Sequence, residues 1–281
     1  MKGKIIAVLS AFLLAGTFAG CAKATDKKSG IAEEQNNGIY EELPAEEEIP
    51  SNETPEIPAV TVPEEEPPKV KTVSYILVNA DGVNIRSGAG TSFSALGTAE
   101  KSTLYAFLGE ENGFYKTSYK NKTVYISKKY CSVYEMEKSD NERIEAVIAE
   151  GAKCLGVPYV YGATRLHDGR GNMYKGFSTN AFDCSSLMQY MFYKGADKLL
   201  DVNTRTQIYQ GTTVAKSKLK RGDLIFFTNA SRKNNTGIER VGHVAMYLGD
   251  NYILHTASDY AKIEQISNTR WSYYIQTQRM I

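Results

Sequence analysis

The chain has 281 residues, room for two domains of ordinary size. Lys and Arg number 33 against 32 Asp and Glu, a net charge of +1, and no nucleic-acid partner is expected. Four cysteines rule out a dense disulfide scaffold, and with only three histidines each of these residues is informative. The opening MKGKIIAVLSAFLLAGTFAGC holds two lysines and then an uncharged, mostly apolar run from Ile5 to Gly20. A membrane span takes about 20 apolar residues, so this shorter run reads as a secretory signal over residues 1–20.

The end of that run, TFAGC, resembles a bacterial lipobox, in which small residues precede an acylated cysteine. The resemblance implies that Cys21 becomes a lipid anchor, and several acyl chains give a stable hold where one gives only reversible binding. Between Ala32 and Pro68 stand 12 glutamates, no Lys or Arg, and seven of the eight prolines. Such a segment cannot bury enough apolar surface to fold, so residues 21–72 are expected to be an extended acidic tether. Without those glutamates the chain has 20 acids against 33 bases, about +13, a balance suited to anionic polymer surroundings and explained equally well by solubility alone.

From Val73 to Tyr134 short apolar–polar runs alternate with Gly, Asn and Ser turns, a pattern that predicts a small all-β barrel over 73–136. The stretches GVNIRSGAGTSF, ENGFYKTSY and KTVYISKKYC resemble the bacterial SH3-like domain that accompanies cell-wall hydrolases. Cys131 closes this region. With Cys21 acylated, three cysteines remain, so at least one is unpaired within the monomer. A Cys131–Cys154 disulfide stays open.

From Ser139 to Ile281 the pattern changes to α+β. In SDNERIEAVIAEGAKCLGVP, Ser139 and Glu142 suggest a capping box. Ile144, Val147, Ile148, Gly151, Cys154 and Leu155 follow helical spacing, which makes Cys154 a core residue. A polar, Gly-rich loop follows, and then STNAFDCSSLMQYMF. Here Asp183 is a good N-cap, Leu187, Met188, Met191 and Phe192 form the apolar stripe, and Gly195 is a stop signal. Cys184 therefore falls in the first turn, where unpaired N–H groups and the helix dipole favour a thiolate. The strand-like runs GDLIFF, GHVAMYLG, NYILHTAS and RWSYYIQTQRMI come last, so helices and strands are in blocks, as in a layered fold with an antiparallel sheet.

Along GHVAMYLG, His243, Ala245 and Tyr247 point one way and Val244, Met246 and Leu248 the other. A three-residue tip would set His255 opposite Ala245 and place both imidazoles on one face as diagonal neighbours, about 7–8 Å apart at the backbone. A two-residue turn would send them to opposite faces. If the histidine face packs on the start of the Cys184 helix, Cys184 can serve as nucleophile, His243 as general base and His255 as the group that orients His243.

PYVYGA, FDCSSLMQYMF, RGDLIFF, GHVAMYLGD and LHTAS, in this order, resemble the NlpC/p60 family of cell-wall cysteine peptidases. The resemblance implies a papain-like catalytic domain over 139–281, a Cys–His–His triad at Cys184, His243 and His255, and substrate contacts from Tyr159, Asp183 and Ser185, with Arg205 and Gln207 peripheral. It implies hydrolysis of the D-γ-glutamyl–diamino acid bond of peptidoglycan stem peptides at the outer face of the cell membrane, through a thioester and without metal or organic cofactor. Rivals are amidase cleavage between muramic acid and L-alanine by the same pair, acyl transfer to another amine, and wall binding without catalysis. The loop from Ala163 to Ala181 is longer than the compact family form and carries His167, read as a surface residue with no metal-ligand partner.

Overall fold

The computed structural model describes residues 70–281; the signal segment, Cys21 and all but the last residues of the tether lie outside the described residues. Eight strands come first: β1 (Thr72–Val78), β2 (Val83–Arg86), β3 (Ala95–Ala99), β4 (Leu104–Ala106), β5 (Glu110–Glu111), β6 (Phe114–Tyr119), β7 (Lys122–Ser127) and β8 (Cys131–Glu137). Helices α1 (Glu142–Lys153), α2 (Cys184–Ala196) and α3 (Thr204–Gln207) follow. The remainder comprises β9 (Thr212–Val214), β10 (Leu224–Phe227), β11 (His243–Gly249), β12 (Tyr252–Ala257), β13 (Tyr260–Gln265), α4 (Asn268–Ser272) and β14 (Tyr274–Arg279).

The fold class is α+β, as expected, but the all-β portion does not stand apart. Five of its strands form one sheet in the order β3-β2-β7-β6-β5, while β8, β1 and β4 continue a nine-stranded sheet, β8-β1-β4-β13-β12-β11-β10-β14-β9. The join is the antiparallel pair Leu104↔Ile263, whose side chains are buried. Two unsatisfied strand edges are thereby covered by one pairing. The same core takes in Ile76, Ile85 and Ile126 from the N-terminal strands and Val147, Leu187, Met191 and Leu254 from the rest.

Helix α1 is capped two residues later than the sequence suggests. The Asn141 side chain accepts from Arg143 N–H, and Ser139 instead receives the Glu145 carboxylate on its backbone N–H at 2.8 Å. Helix α2 starts as read: Asp183 accepts from Ser186 N–H, and the Ser186 hydroxyl accepts from Asp183 N–H, a reciprocal box. Leu187, Met188, Met191 and Phe192 are all fully buried, each stabilising the helix by about 1.5–3 kcal/mol of apolar transfer. Gly195 is not the stop. The helix runs to Ala196 and turns through Asp197 in the left-handed region, φ 49°. Gly195 is required because α1 crosses there: a Cβ on it would stand 2.4 Å from Val147 N.

The β11–β12 register is the expected one, reached by a different turn. Tyr247 faces Ile253 and Met246 faces Leu254, which carried one pair further sets Ala245 opposite His255. The tip is a two-residue turn, Asp250–Asn251, with φ 47° and 65°, the mirror-image hairpin geometry. A bulge between Tyr247 and Gly249 absorbs the extra residue and restores the alternation. Gly249 sits there at φ +108°, a region open to glycine alone at low cost.

Candidate active site

Cys184 is the first residue of α2 and is 6% exposed. His243 opens β11 and is 7% exposed; His255, on β12, is 1% exposed. The sheet face that packs on α2 is the opposite one from that expected. Val244, Met246 and Leu248 share the core with Leu187 and Met191, while Ala245 and Ile253 lie with Ile225, Phe227 and Ile266 under Trp271, Tyr273 and Tyr274. By strand alternation the histidines belong to this second face. Cys184 Sγ lies instead beside the start of β11, within reach of the backbone N–H groups of Val244 and Ser185.

Two cavities meet here, sharing Tyr159 and Gly242 in their walls. One, about 190 Å³, is lined by Cys184, Asp183, Ser185, Tyr161, Arg165 and Arg205. The other, about 310 Å³, is lined by His243, Thr228, Ser258, Arg270 and Tyr273. A larger cavity, about 570 Å³, lies between the start of α1 and the β11–β12 turn and includes none of the expected site residues.

The two imidazoles touch. His243 Nε2 is 3.0 Å from His255 Nδ1, the rings nearly perpendicular at 78°. His255 Nε2 lies 2.9 Å from Glu264 Oε1, and Arg270 Nη2 donates to the same oxygen at 3.2 Å. Glu264 was not foreseen, because β13 was not foreseen. Its signal was present in YAKIEQ, where Ala261 and Ile263 alternate with Lys262 and Glu264. His255 stands opposite Lys262, so Glu264 is its diagonal neighbour on the same face.

The electrostatics also depart from the expectation of an acidic sulfur. Burial, and then the Asp183 carboxylate, push the Cys184 thiol up to about 12, against the N–H groups of Val244 and Ser185, which lower it. Burial holds His243 well below the ordinary histidine range, helped by His255 and Arg270. Burial also lowers His255, although the Glu264 bond works the other way. Neutral thiol beside neutral imidazole is the favoured state, and among the described residues no hydrogen bond joins the sulfur to His243. Burial alone would raise Glu264, but the bond from His255 and the charges of His255, Arg270 and Lys262 bring it down to about 2, so it is ionised.

Of the residues expected to touch substrate, Tyr159 is half-buried at the junction of the two cavities. Burial, followed by the neighbouring sulfur and Asp183, raises its hydroxyl to about 12, so it remains a donor. Asp183 and Ser185 line the same space with their polar atoms already engaged. Asp183 Oδ1 accepts from Ser186 N–H and the Ser185 hydroxyl; Oδ2 accepts from Gly162 N–H at 3.2 Å and pairs with Arg165 at 2.7 Å. Arg165 also donates to the Ser185 hydroxyl and to the Val202 carbonyl. The long loop thus reaches the nucleophile's cap through Arg165, a residue the sequence did not single out. Gln207 donates to the Ser185 and Asp201 carbonyls from beneath, and Arg205 lies on the rim. His167 is no surface residue. It is fully buried against Tyr193, its Nδ1 accepting from Gly169 N–H at 3.0 Å, because the loop folds back on α2. Cys131, Cys154 and Cys184 are all free thiols.

Residues 156–280 match the NlpC/P60 family, and residues 81–132 match the bacterial SH3 domain. The chain is 33% identical over 137 residues to the peptidoglycan endopeptidase RipA of Mycolicibacterium smegmatis, covering 48% of this chain and 25% of that one. It is 29% identical over 163 residues to the gamma-DL-glutamyl hydrolase of Bacillus subtilis, covering 58% and 35%. It is 27% identical over 171 residues to the gamma-D-glutamyl-L-lysine dipeptidyl-peptidase of the same organism, covering 61% and 50%. The chain thus spans between a quarter and a half of the length of these relatives.

Proposed function

Because the chain carries an NlpC/P60 domain behind a bacterial SH3 domain, we propose that it is a cysteine peptidase of the cell wall, cutting the D-γ-glutamyl–diamino acid bond of peptidoglycan stem peptides. One observation carries the reading: Cys184, at the first position of α2, and His243, bonded to His255 behind it, line two cavities that share Tyr159 and Gly242. Cys184 Sγ attacks the amide carbon as its proton passes to His243, which then protonates the departing amine. Water hydrolyses the thioester, with His243 again as base.

The carbonyl oxygen turns anionic on attack and needs donors. Ser186 N–H and Leu187 N–H are already taken by the Asp183 side chain and carbonyl, which leaves the Cys184 N–H at the helix start for the oxyanion. The Tyr159 hydroxyl is the second donor within the groove. Asp183 and Ser185 act on substrate mainly by shaping the Cys-side wall, since their polar atoms are held by each other and by Arg165. The peptidase domain is assigned to 139–281 and the SH3-like domain to 73–136. Residues 21–72 are proposed as a tether from a lipid on Cys21, holding the enzyme at the outer membrane face.

Cys184→Ala tests this directly. It is expected to lower release of stem-peptide fragments by at least about a thousandfold while thermal unfolding stays unchanged. Fragment release at the wild-type rate from that variant would defeat the assignment. Mass analysis of the fragments separates γ-glutamyl cleavage from cleavage at the muramic acid–L-alanine bond.

A further inference from the structure

We propose that Glu264 is a positioning residue that fixes the tautomers of both histidines, so that His243 presents Nδ1 as the base. The inference rests on the reading of Cys184 and His243 as the reacting pair. A neutral imidazole carries one N–H, on either nitrogen, and nothing within a pair of bonded rings decides which way their hydrogen bond runs. The chain N···N contact from His243 Nε2 to His255 Nδ1, at 3.0 Å, can form with the proton on either side. One orientation leaves the outer nitrogen of His243, Nδ1, as a lone pair. The other puts a proton there and abolishes the base.

Glu264 breaks this symmetry. Its Oε1 lies 2.9 Å from His255 Nε2 and also receives Arg270 Nη2 at 3.2 Å, while Lys262 Nζ stands 4.0 Å from Oε2. A carboxylate braced by two cations can only accept, so His255 Nε2 must carry the proton. His255 Nδ1 is then a lone pair and must accept from His243 Nε2–H. His243 Nδ1 is left as the uncommitted nitrogen of the relay. One ionised carboxylate at the far end of three residues therefore determines the atom that takes the thiol proton. The reverse orientation would set a lone pair of His255 against a carboxylate oxygen at a ring only 1% exposed.

The bland reading makes Glu264 half of a surface ion pair with Arg270, their side chains 30% and 26% exposed. Nitrogen-15 NMR of the full chain, labelled at histidine, separates the two. The proposal expects both rings to be Nε2–H tautomers with unprotonated Nδ1, and a His243 ring protonated at Nδ1 would overturn it with no variant needed. In Glu264→Gln, close to isosteric, and in Glu264→Ala, His243 is expected to populate the Nδ1–H form. Alkylation of Cys184 by iodoacetamide and kcat on a stem peptide are both expected to fall about 10- to 100-fold with KM little changed. Unchanged tautomers and an alkylation rate within twofold of wild type would sink the idea. Because alkylation needs no wall substrate, a shifted ring with slowed alkylation in a protein that cuts no wall peptide would refute the peptidase reading alone.

Discussion

Asp183 does three jobs at once: it caps α2, it holds Gly162 N–H, and it pairs with Arg165. Its side chain is 6% exposed and that of Arg165 is 17%, so the pair is largely removed from water. Arg165→Ala would leave a buried carboxylate with neutral donors only, at a cost of about 2–3 kcal/mol, seen as a lower urea midpoint. It would also release the loop from the Cys184 rim, where Arg165 lines the cavity, and is expected to raise KM for a stem peptide. At this scale the sequence was legible where chemistry and local structure coincide. Asp183, Cys184 and His243 could be placed because an N-cap, a first-turn thiol and a strand histidine each carry a local signal. Arg165 and the burial of His167 carry none: both depend on a 19-residue loop folding back onto α2, a tertiary event with no periodicity to announce it.

Among the elements, the β11–β12 hairpin decides whether two histidines can meet at all. Alternation in GHVAMYLG and NYILHTAS is legible, and so is the need for an odd tip. The bulge is not, because a three-residue tip and a two-residue turn plus one bulged residue satisfy the same pattern. Gly249→Val places a branched side chain at φ +108° and is expected to destabilise by about 1–3 kcal/mol in chemical denaturation. The escape is an unbulged two-residue hairpin that turns His255 away. Activity should therefore fall by more than the folded fraction does, measured as residual turnover at a temperature where the variant remains folded. Strand β13 is harder to read, because YAKIEQ has six residues and only Ala261 and Ile263 are buried along it. With it went Glu264, the one charged end of the histidine relay.

At the scale of all the described residues, β1, β4 and β8 share one sheet with β9–β14, and both parts share one core. Arg221 ties them: it pairs with Glu145 of α1 at 2.7 Å and donates to the Leu248 carbonyl and to the Tyr75 hydroxyl of β1. Glu145→Ala strands a buried guanidinium and should cost about 3 kcal/mol. Calorimetry should show a single transition moved down as a unit for residues 70–281, not a separate early melting of the SH3-like part. This interlock was not legible, since a three-residue strand such as β4, seated between β1 and β13, shows which residues pair with it only once the fold is complete.

The same scale sets the response to acid. His167, His243 and His255 are all buried and all lowered from the ordinary value near 6.5, chiefly by burial. The folded state resists protons that the unfolded chain takes up below that value, so the stability these rings contribute is present above about pH 6.5 and is lost as the pH falls toward their folded values. The melting temperature should thus drop between pH 7 and pH 5, and His167→Phe should flatten that drop.

The central claim is that Cys184 carries the acyl group. The most direct measurement is the intact mass of the protein, acid-quenched within the first turnover on a synthetic stem peptide and mapped by digestion. The account predicts an added mass equal to the N-terminal fragment less one water, located on Cys184 and labile to hydroxylamine. Fragments released at full rate with no adduct on that cysteine would contradict it.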